Sequence, residues 1–326
     1  MKQANFDVTA LGELLIDFTQ DGLSNQGNPR FEANPGGAPC NVLAMLRKLG
    51  KRCAFLGKVG QDGFGRQLAQ VVREAGIDTR ALRFDPEIPT TLAIVQTLPG
   101  GDRDFSFYRK PGADLRLSAE ELDEDLLQDC KIFHFGTLSL TGEPCRGATQ
   151  KAVALAREAG ALISFDPNLR PPLWDSQEEA RAQIAWGLGQ CDILKIADNE
   201  LLFMTGTDDF AEGAAMLQRQ YPNIRLLNVT AGAAGSHAFY GGLHRFEPGC
   251  TLGGVIETTG AGDTFCASVL NFVLENGLEG LTERDLGRML RFANTAAYLV
   301  TTKKGAIRSM PEREMVEETI RKSEKE

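Results

Sequence analysis

The segment Glu257-Thr258-Thr259-Gly260-Ala261-Gly262-Asp263-Thr264-Phe265-Cys266-Ala267-Ser268 places three small residues and a carboxylate where an apolar run of helical period begins. The first N–H groups of a helix lack intrahelical partners and lie at the positive end of its dipole, so bare backbone there holds a phosphate or the charge developing on one. Gly260, Ala261 and Gly262 leave that backbone bare. Asp263 is then one of two things. It is a helix cap, a common role for aspartate, or it accepts a proton from a hydroxyl as a phosphoryl group moves onto that hydroxyl.

A second glycine pair, in Asn34-Pro35-Gly36-Gly37-Ala38-Pro39-Cys40-Asn41, precedes the helically spaced Val42, Leu43, Met45, Leu46 and Leu49. Backbone near Gly37 is open to close approach by a polyol. Other nucleotide motifs fail on their own wording. A P-loop needs a hydroxyl after Gly-Lys, but Gly50-Lys51 is followed by Arg52 and Gly57-Lys58 by Val59. In Thr230-Ala231-Gly232-Ala233-Ala234-Gly235 the first glycine of a dinucleotide fingerprint is missing and an apolar strand follows, which argues against hydride transfer. Gly57 to Gly65 reads as a strand-to-helix turn without a ligand. His134, between Phe133 and Phe135, reads as a core histidine, and His134, His237 and His244 form no spaced metal set.

The elements that must carry these residues are legible from about residue 130 onward. Short β-branched runs alternate there with helical segments, which implies βαβ units and a parallel sheet. Strands are expected at 132–135, 161–165, 193–196 and 226–229, with helices at 145–159 and 176–188 and a capping box at Ser118 and Glu121. Earlier, 91–98 and 103–109 flank Pro99-Gly100-Gly101-Asp102 and read as a hairpin. With the stretch around Leu14 to Phe18 and Phe31 it forms a small second sheet, a β-rich lid drawn from about 13–34 and 90–110 over a single α/β domain spanning 1–326. The charged tail from Glu312 reads as a solvated terminal helix.

Composition narrows the partners. The 326 residues are 42% hydrophobic and 24% charged, the balance of a folded globular chain. A net charge of −9 repels nucleic acid and anionic lipid. Seven scattered cysteines without a C-x-x-C pair read as reduced thiols. Glu13 and Asp17 interrupt the first apolar stretch, and no window reaches the ~18 apolar residues of a membrane span, so a cytoplasmic protein is expected.

Taken together the motifs resemble the PfkB or ribokinase-like family of carbohydrate kinases, and its fructokinase branch in particular, from about residue 6 to residue 313. Both family signatures are present, at Gly36-Gly37 to Asn41 with Gly57-Lys58-Val59-Gly60 behind it, and at Thr258 to Asp263. Four strings are similar to the branch's wording: Gly12-Glu13-Leu14-Leu15-Ile16-Asp17-Phe18, Phe107-Tyr108-Arg109, Asp166-Pro167-Asn168-Leu169-Arg170 and Lys304-Gly305-Ala306-Ile307. The resemblance implies a three-layer α/β/α core with a mostly parallel sheet and a small lid. It implies that Asp17, Gly37 and Asn41 bind sugar hydroxyls, that Arg109 reaches the site from the lid, and that Arg170 lies near the transferred phosphate. Asp263 becomes the base and Gly260, Ala261 and Gly262 the anion hole. Gly232 and Gly235 border ATP, Asn294 lies near its base, and Glu200 belongs to the magnesium network.

Each of these also has a plain structural alternative: Asp17 ending a strand, Asn41 capping a helix, Glu200 lying on the surface. Three departures from the family wording stand out. Glu257 replaces an aspartate at a position associated with a monovalent-cation site, which leaves potassium activation open. Ala197 replaces the polar residue that usually opens the string ending at Glu200. Thr264 follows Asp263 where alanine is common. The reading that results is an ATP-dependent kinase forming fructose 6-phosphate. Its rivals are a kinase of 2-keto-3-deoxygluconate or ribose, and a non-catalytic sugar-binding protein on the same fold. Exposed lid edges suit a homodimer.

Overall fold

The computed structural model describes residues 2–97 and 103–323. In chain order the strands are β1 (Phe6–Leu11), β2 (Leu15–Leu23), β3 (Pro29–Gly36), β4 (Cys53–Gly60), β5 (Asp78–Asp85), β6 (Leu92–Thr97) and β7 (Arg103–Tyr108). They continue as β8 (Cys130–Gly136), β9 (Leu162–Asp166), β10 (Ile193–Ala197), β11 (Leu226–Thr230), β12 (Gly235–Tyr240) and β13 (Leu243–Pro248). The helices are α1 (Ala38–Lys48), α2 (Gly63–Glu74), α3 (Glu124–Gln128), α4 (Cys145–Glu158) and α5 (Gln177–Gln190). After them come α6 (Asp198–Thr205), α7 (Phe210–Gln220), α8 (Ala261–Asn276), α9 (Glu283–Thr301) and α10 (Arg313–Ser323).

Nine strands form one sheet in the order β13-β12-β11-β10-β9-β8-β1-β4-β5. From β5 to β11 every pair is parallel, and β12 and β13 close one edge with antiparallel pairs. Strands buried on both faces read as continuous apolar runs, which is why β8 to β11 are visible in the sequence. Val8, Ala10 and Ile132 pack with Phe265, Leu290 and other side chains of α1, α8 and α9 on one face. Leu11, Phe133 and Phe165 pack with Ala152, Ile184 and Leu201 of α4, α5 and α6 on the other. Helices therefore cover both faces, giving the three-layer α/β/α arrangement. His134 is buried in this core with Nδ1 2.9 Å from Ser164 Oγ, and burial lowers its pKa to about 3.

The second sheet has four strands in the order β3-β2-β6-β7, with β6 and β7 antiparallel as a hairpin. The expected turn at Pro99 to Asp102 lies outside the described residues. The Ser118–Glu121 box forms, with Glu121 accepting from Ser118 N at 2.9 Å, but it opens only a single 3₁₀ turn. At 57–65 the chain runs from β4 into α2, capped by Asp62 accepting from Gly65 N at 2.7 Å. The tail forms α10, exposed along most of its length with Val316 buried. Among the described residues no helix is long and apolar enough to cross a membrane.

Parallel strands present their carboxyl ends on one edge of the sheet, where α/β folds place ligands. Asp166 closes β9, Lys195 lies within β10, and Gly232 follows β11. Glu13 follows β1 on the same edge, and the N-termini of α1 and α8 point there.

Candidate active site

Two cavities meet at the N-terminus of α8. The first, about 560 Å³, opens between the small sheet and the main one. Asp17, Gly37 and Asn41 line it on one side, and Arg170, Glu257 and Asp263 on the other. The second, about 460 Å³, is lined by Gly232, Gly235, Cys250, Asn294 and Thr301 among others. Val255, Thr258 and Gly262 line both.

Gly260 caps α8 with a left-handed φ of 79°, and a Cβ there would lie 2.9 Å from the Ala306 methyl. Ala261 N reaches back to Thr258 O at 3.3 Å, whereas Gly262 and Asp263 follow in the first turn, whose N–H groups have no helical partners. Gly260 and Gly262 face the first cavity, and Ala261 and Gly262 the second. Any group passing from one cavity to the other crosses these amides.

Asp263 is not the cap. It sits in the first turn of α8, only 9% exposed, and its Oδ2 accepts from Asn41 Nδ2 at 2.7 Å. Asn41 in turn is no cap but lies inside α1, and its Oδ1 is buried without a partner beside the first cavity. A lone acceptor of that kind fits a hydroxyl-bearing ligand. Burial raises the Asp263 pKa to about 6, with Asp166 adding to the rise and the Asn41 hydrogen bond, Lys195 and Arg170 opposing it. At neutral pH the group is ionised and close enough to the working range to act as a base.

Asp17 lies within β2 rather than at its end. Withdrawal from solvent, together with the charges of Glu257 and Asp263, lifts its pKa to about 7 against the pull of Arg170. Gly37 has φ 127°, and a Cβ there would come within 2.4 Å of the Glu13 carbonyl, so only glycine fits this contact between the ends of β1 and α1. Arg170 lines the first cavity, with Nη1 3.2 Å from the Leu169 carbonyl.

Arg109 is a correction. The structure does not bring it to the cavity: Nε and Nη2 bind Asp114, Nη1 donates to Thr141 Oγ1 at 2.7 Å, and Nη2 also donates to Leu138 O at 2.7 Å. Its three nitrogens are spent bracing the wall, and its neighbour Phe107 lines the cavity instead. Asn294 does line the second cavity, but as a clasp: Nδ2 donates to the carbonyls of Glu247 and Pro248 at 3.0 Å each, and Oδ1 accepts from Ser236 at 2.8 Å.

Glu200 is buried, not surface charge, and its oxygens accept from Leu169 N at 2.6 Å and Ala197 N at 2.8 Å. The backbone amide of Ala197 thus supplies a contact to Glu200 that needs no polar side chain at that position. Beside it lies a pair that the motifs did not single out. Lys195 Nζ is 3.1 Å from Asp166 Oδ2, with both side chains under a tenth exposed, and it lines the first cavity 3.2 Å from where a Gly262 Cβ would stand. Burial would strip the lysine of its proton, yet Asp166, Glu200 and Asp263 together raise its pKa, so it stays charged. Glu13 was also missed as a site group. It lines the cavity, accepts from Ala38 N at 2.8 Å, and burial lifts its pKa to about 7.

Helix-turn amides between two cavities, with a buried acid on one side and glycines lining the other, are the layout of a phosphoryl-transfer enzyme. The family model for pfkB family carbohydrate kinases matches residues 5–313. The chain belongs to that family. It is accordingly a phosphotransferase acting on a sugar hydroxyl.

Among its relatives, probable fructokinase-2 of Arabidopsis thaliana is 43% identical over 310 residues, covering 93% of this chain and 92% of the relative. The crystal structure of a fructokinase with bound ATP from Xylella fastidiosa superposes with a TM-score of 0.88 at 30% identity, covering 98% of this chain and 99% of that one. A fructokinase double mutant from Vibrio cholerae O395, in its fructose-, ADP- and potassium-bound form, gives 0.87 at 30% identity over 98% of this chain and all of the other.

Proposed function

We propose that this pfkB kinase transfers the γ-phosphoryl group of ATP to the 6-hydroxyl of D-fructose, with Asp263 as the general base. The observation that carries the reading is the junction of the two cavities at Gly262, with the Asp263 carboxylate on the acceptor side. The relatives' names point to fructose among sugars. Asp17, Asn41 and the backbone at Gly37 bind the sugar hydroxyls. Gly232, Gly235 and Asn294 wall the nucleotide. A sugar hydroxyl is far less acidic than Asp263, so its proton leaves late, in a loose transition state that the Gly260 to Gly262 amides and Arg170 stabilise. The small sheet acts as the lid that keeps water from competing for the phosphoryl group.

Magnesium fits this site as an ion held through water and phosphate. Among the described residues no group of three His, Cys, Asp or Glu side chains could cage a metal by itself, and Mg²⁺ ordinarily keeps waters and substrate phosphates as ligands. Glu200 and Asp166 are the carboxylates that would hold the hydrated ion through water, and the ion would supply positive charge against the phosphates of ATP.

Glu257 fits a monovalent cation. Its carboxylate is 5% exposed and makes no hydrogen bond or ion pair among the described residues, an arrangement that a bound cation relieves. Turnover is expected to be faster in potassium than in tetramethylammonium chloride, and Glu257→Gln to lose most of the difference. Equal rates in the two salts contradict this role.

The pH profile follows from Asp263. The base works only when ionised, so kcat/KM is expected to fall about tenfold per pH unit below its pKa of about 6 and to level off above it. A profile flat down to pH 4.5 excludes this assignment. ADP release with MgATP across fructose, ribose, glucose, tagatose and 2-keto-3-deoxygluconate tests the substrate, and fructose is expected to give the highest kcat/KM.

All seven cysteines are free and six are buried, which suits a reducing cytoplasm. The outer strands β3 and β7 leave Phe31 and Tyr108 exposed, which suits a homodimer through the small sheet. Sedimentation of purified protein at twice the chain mass is the expected result, and a monomer at micromolar concentration contradicts it.

A further inference from the structure

Behind the nucleotide cavity, edge strand β13 and the first half of α9 enclose a groove of about 540 Å³. Four guanidinium groups line it, Arg245 from β13 and Arg284, Arg288 and Arg291 from α9, against the carboxylates of Glu247 and Glu283. The chain as a whole carries −9, so the groove runs against the charge of the molecule. The two acids do not offset it equally. Glu247 is buried, with a side chain 6% exposed, and it is held by Arg245 Nη2 at 2.5 Å and Arg291 Nη2 at 3.6 Å. Glu283 is 61% exposed and stands 3.8 Å from Arg245. Arg288 spends one nitrogen on Asp285 at 2.9 Å, and Arg284 has no ion-pair or hydrogen-bond partner among the described residues.

Some of these residues serve the fold, Arg245 and Arg291 by holding Glu247 and Arg288 by pairing with Asp285, but the local helix chemistry does not favour the set as a whole. Arg284 is the second residue of α9, where the helix dipole disfavours a cation. Positions 284, 288 and 291 share one helix face, so their like charges repel. Gly287, in the interior of the same helix, is a poorer helix former than alanine. A Cβ at Gly287 would lie 3.2 Å from Glu247 Oε1 and 3.3 Å from Arg245 Nε, so the glycine makes room for the ion pair that floors the groove. Three locally unfavourable choices converge on one concave, positively charged surface.

We infer that this groove binds a small phosphorylated polyanion at a site separate from the active centre. Guanidinium forks match phosphate oxygens in pairs, and the outward donors of Arg284 and Arg288 are the ones not absorbed by the protein. The groove also connects to the nucleotide wall. Asn294, three residues beyond Arg291, donates to the carbonyls of Glu247 and Pro248 while lining the nucleotide cavity. An anion that draws Arg245 or Arg291 away from Glu247 therefore acts on the strand end that shapes that wall. The connection rests on the nucleotide reading of the cavity, whereas the anion site itself does not.

The test is calorimetric titration of inorganic pyrophosphate into the protein carrying one equivalent of a non-hydrolysable MgATP analogue. The wild type is expected to bind one pyrophosphate, with affinity that drops steeply with salt. Arg284→Ala/Arg288→Ala is expected to weaken that binding at least tenfold while leaving analogue binding and kcat unchanged. Both positions are exposed on the helix, and retained analogue binding reports that the variant is folded. Gly287→Ala, which crowds the floor, is expected to weaken pyrophosphate binding as well. Equal affinity in the wild type and the double variant, or no binding once the analogue is present, overturns the site. Pyrophosphate binding that persists in a protein unable to bind the analogue would leave the groove standing and refute the nucleotide reading instead.

Discussion

Replacing Asp263 by alanine is expected to reduce kcat on fructose by roughly 10²- to 10⁴-fold, the usual contribution of a positioned base. Asp263 lines the first cavity at the helix turn whose amides lie between the two cavities, and Asn41 donates to its carboxylate at 2.7 Å. Its pKa, raised by burial to about 6, leaves it ionised at neutral pH. Asp263→Asn keeps the size and a partner for Asn41 but cannot take a proton, so it is expected to be as slow as alanine with KM for fructose little changed. Steady-state rates for both variants check this. Activity within tenfold of wild type in either would show that the proton leaves by another route.

Lys195→Met is expected to have the second largest effect, through charge left uncompensated in the interior. Lys195 lies between Asp166 and Glu200, all three almost fully buried, and its proximity to Asp263 lowers that group's pKa. Removing one partner of a buried ion pair destabilises by about 3–5 kcal/mol because the remaining charge has no counterion. A urea midpoint well below that of wild type is therefore expected. Asp166→Asn added to Lys195→Met is expected to recover part of the loss, since it removes the orphaned charge. The acid limb of the kcat/KM profile should also move to higher pH in Lys195→Met, because the lysine no longer favours the ionised base. An unchanged midpoint and an unchanged acid limb would together deny Lys195 both roles.

How much of this was readable in the chain depends on whether a residue's partners lie nearby in sequence. Strands β8 to β11 were legible because burial on both faces leaves uninterrupted apolar runs, and the turn into α8 because small residues and an acid stand side by side. Lys195 was not, since inside Ile193-Leu194-Lys195-Ile196 it reads as one polar residue in a strand, and its partner Asp166 lies 29 residues earlier. A charge inside an otherwise apolar parallel strand is the signal that was there to find, as Glu13 is near the end of β1. Arg109 shows the opposite error. Its string matched a sugar-contact wording, but Asp114, Thr141 and the Leu138 carbonyl occupy its guanidinium, and nothing in the local sequence reports a bond formed across 29 to 32 residues. Asn294 is a different case: it lines the second cavity, but its amide holds backbone carbonyls there, and those partners lie 46 and 47 residues away in sequence.

The most direct test of the account is to incubate the purified protein with MgATP and fructose and follow both products by phosphorus NMR. ADP and fructose 6-phosphate forming in equal amounts, with Asp263→Ala forming neither at a comparable rate, is the expected result. Fructose that binds without turnover, or phosphate appearing at another carbon of the sugar, would contradict the placement of the acceptor hydroxyl beside Asp263.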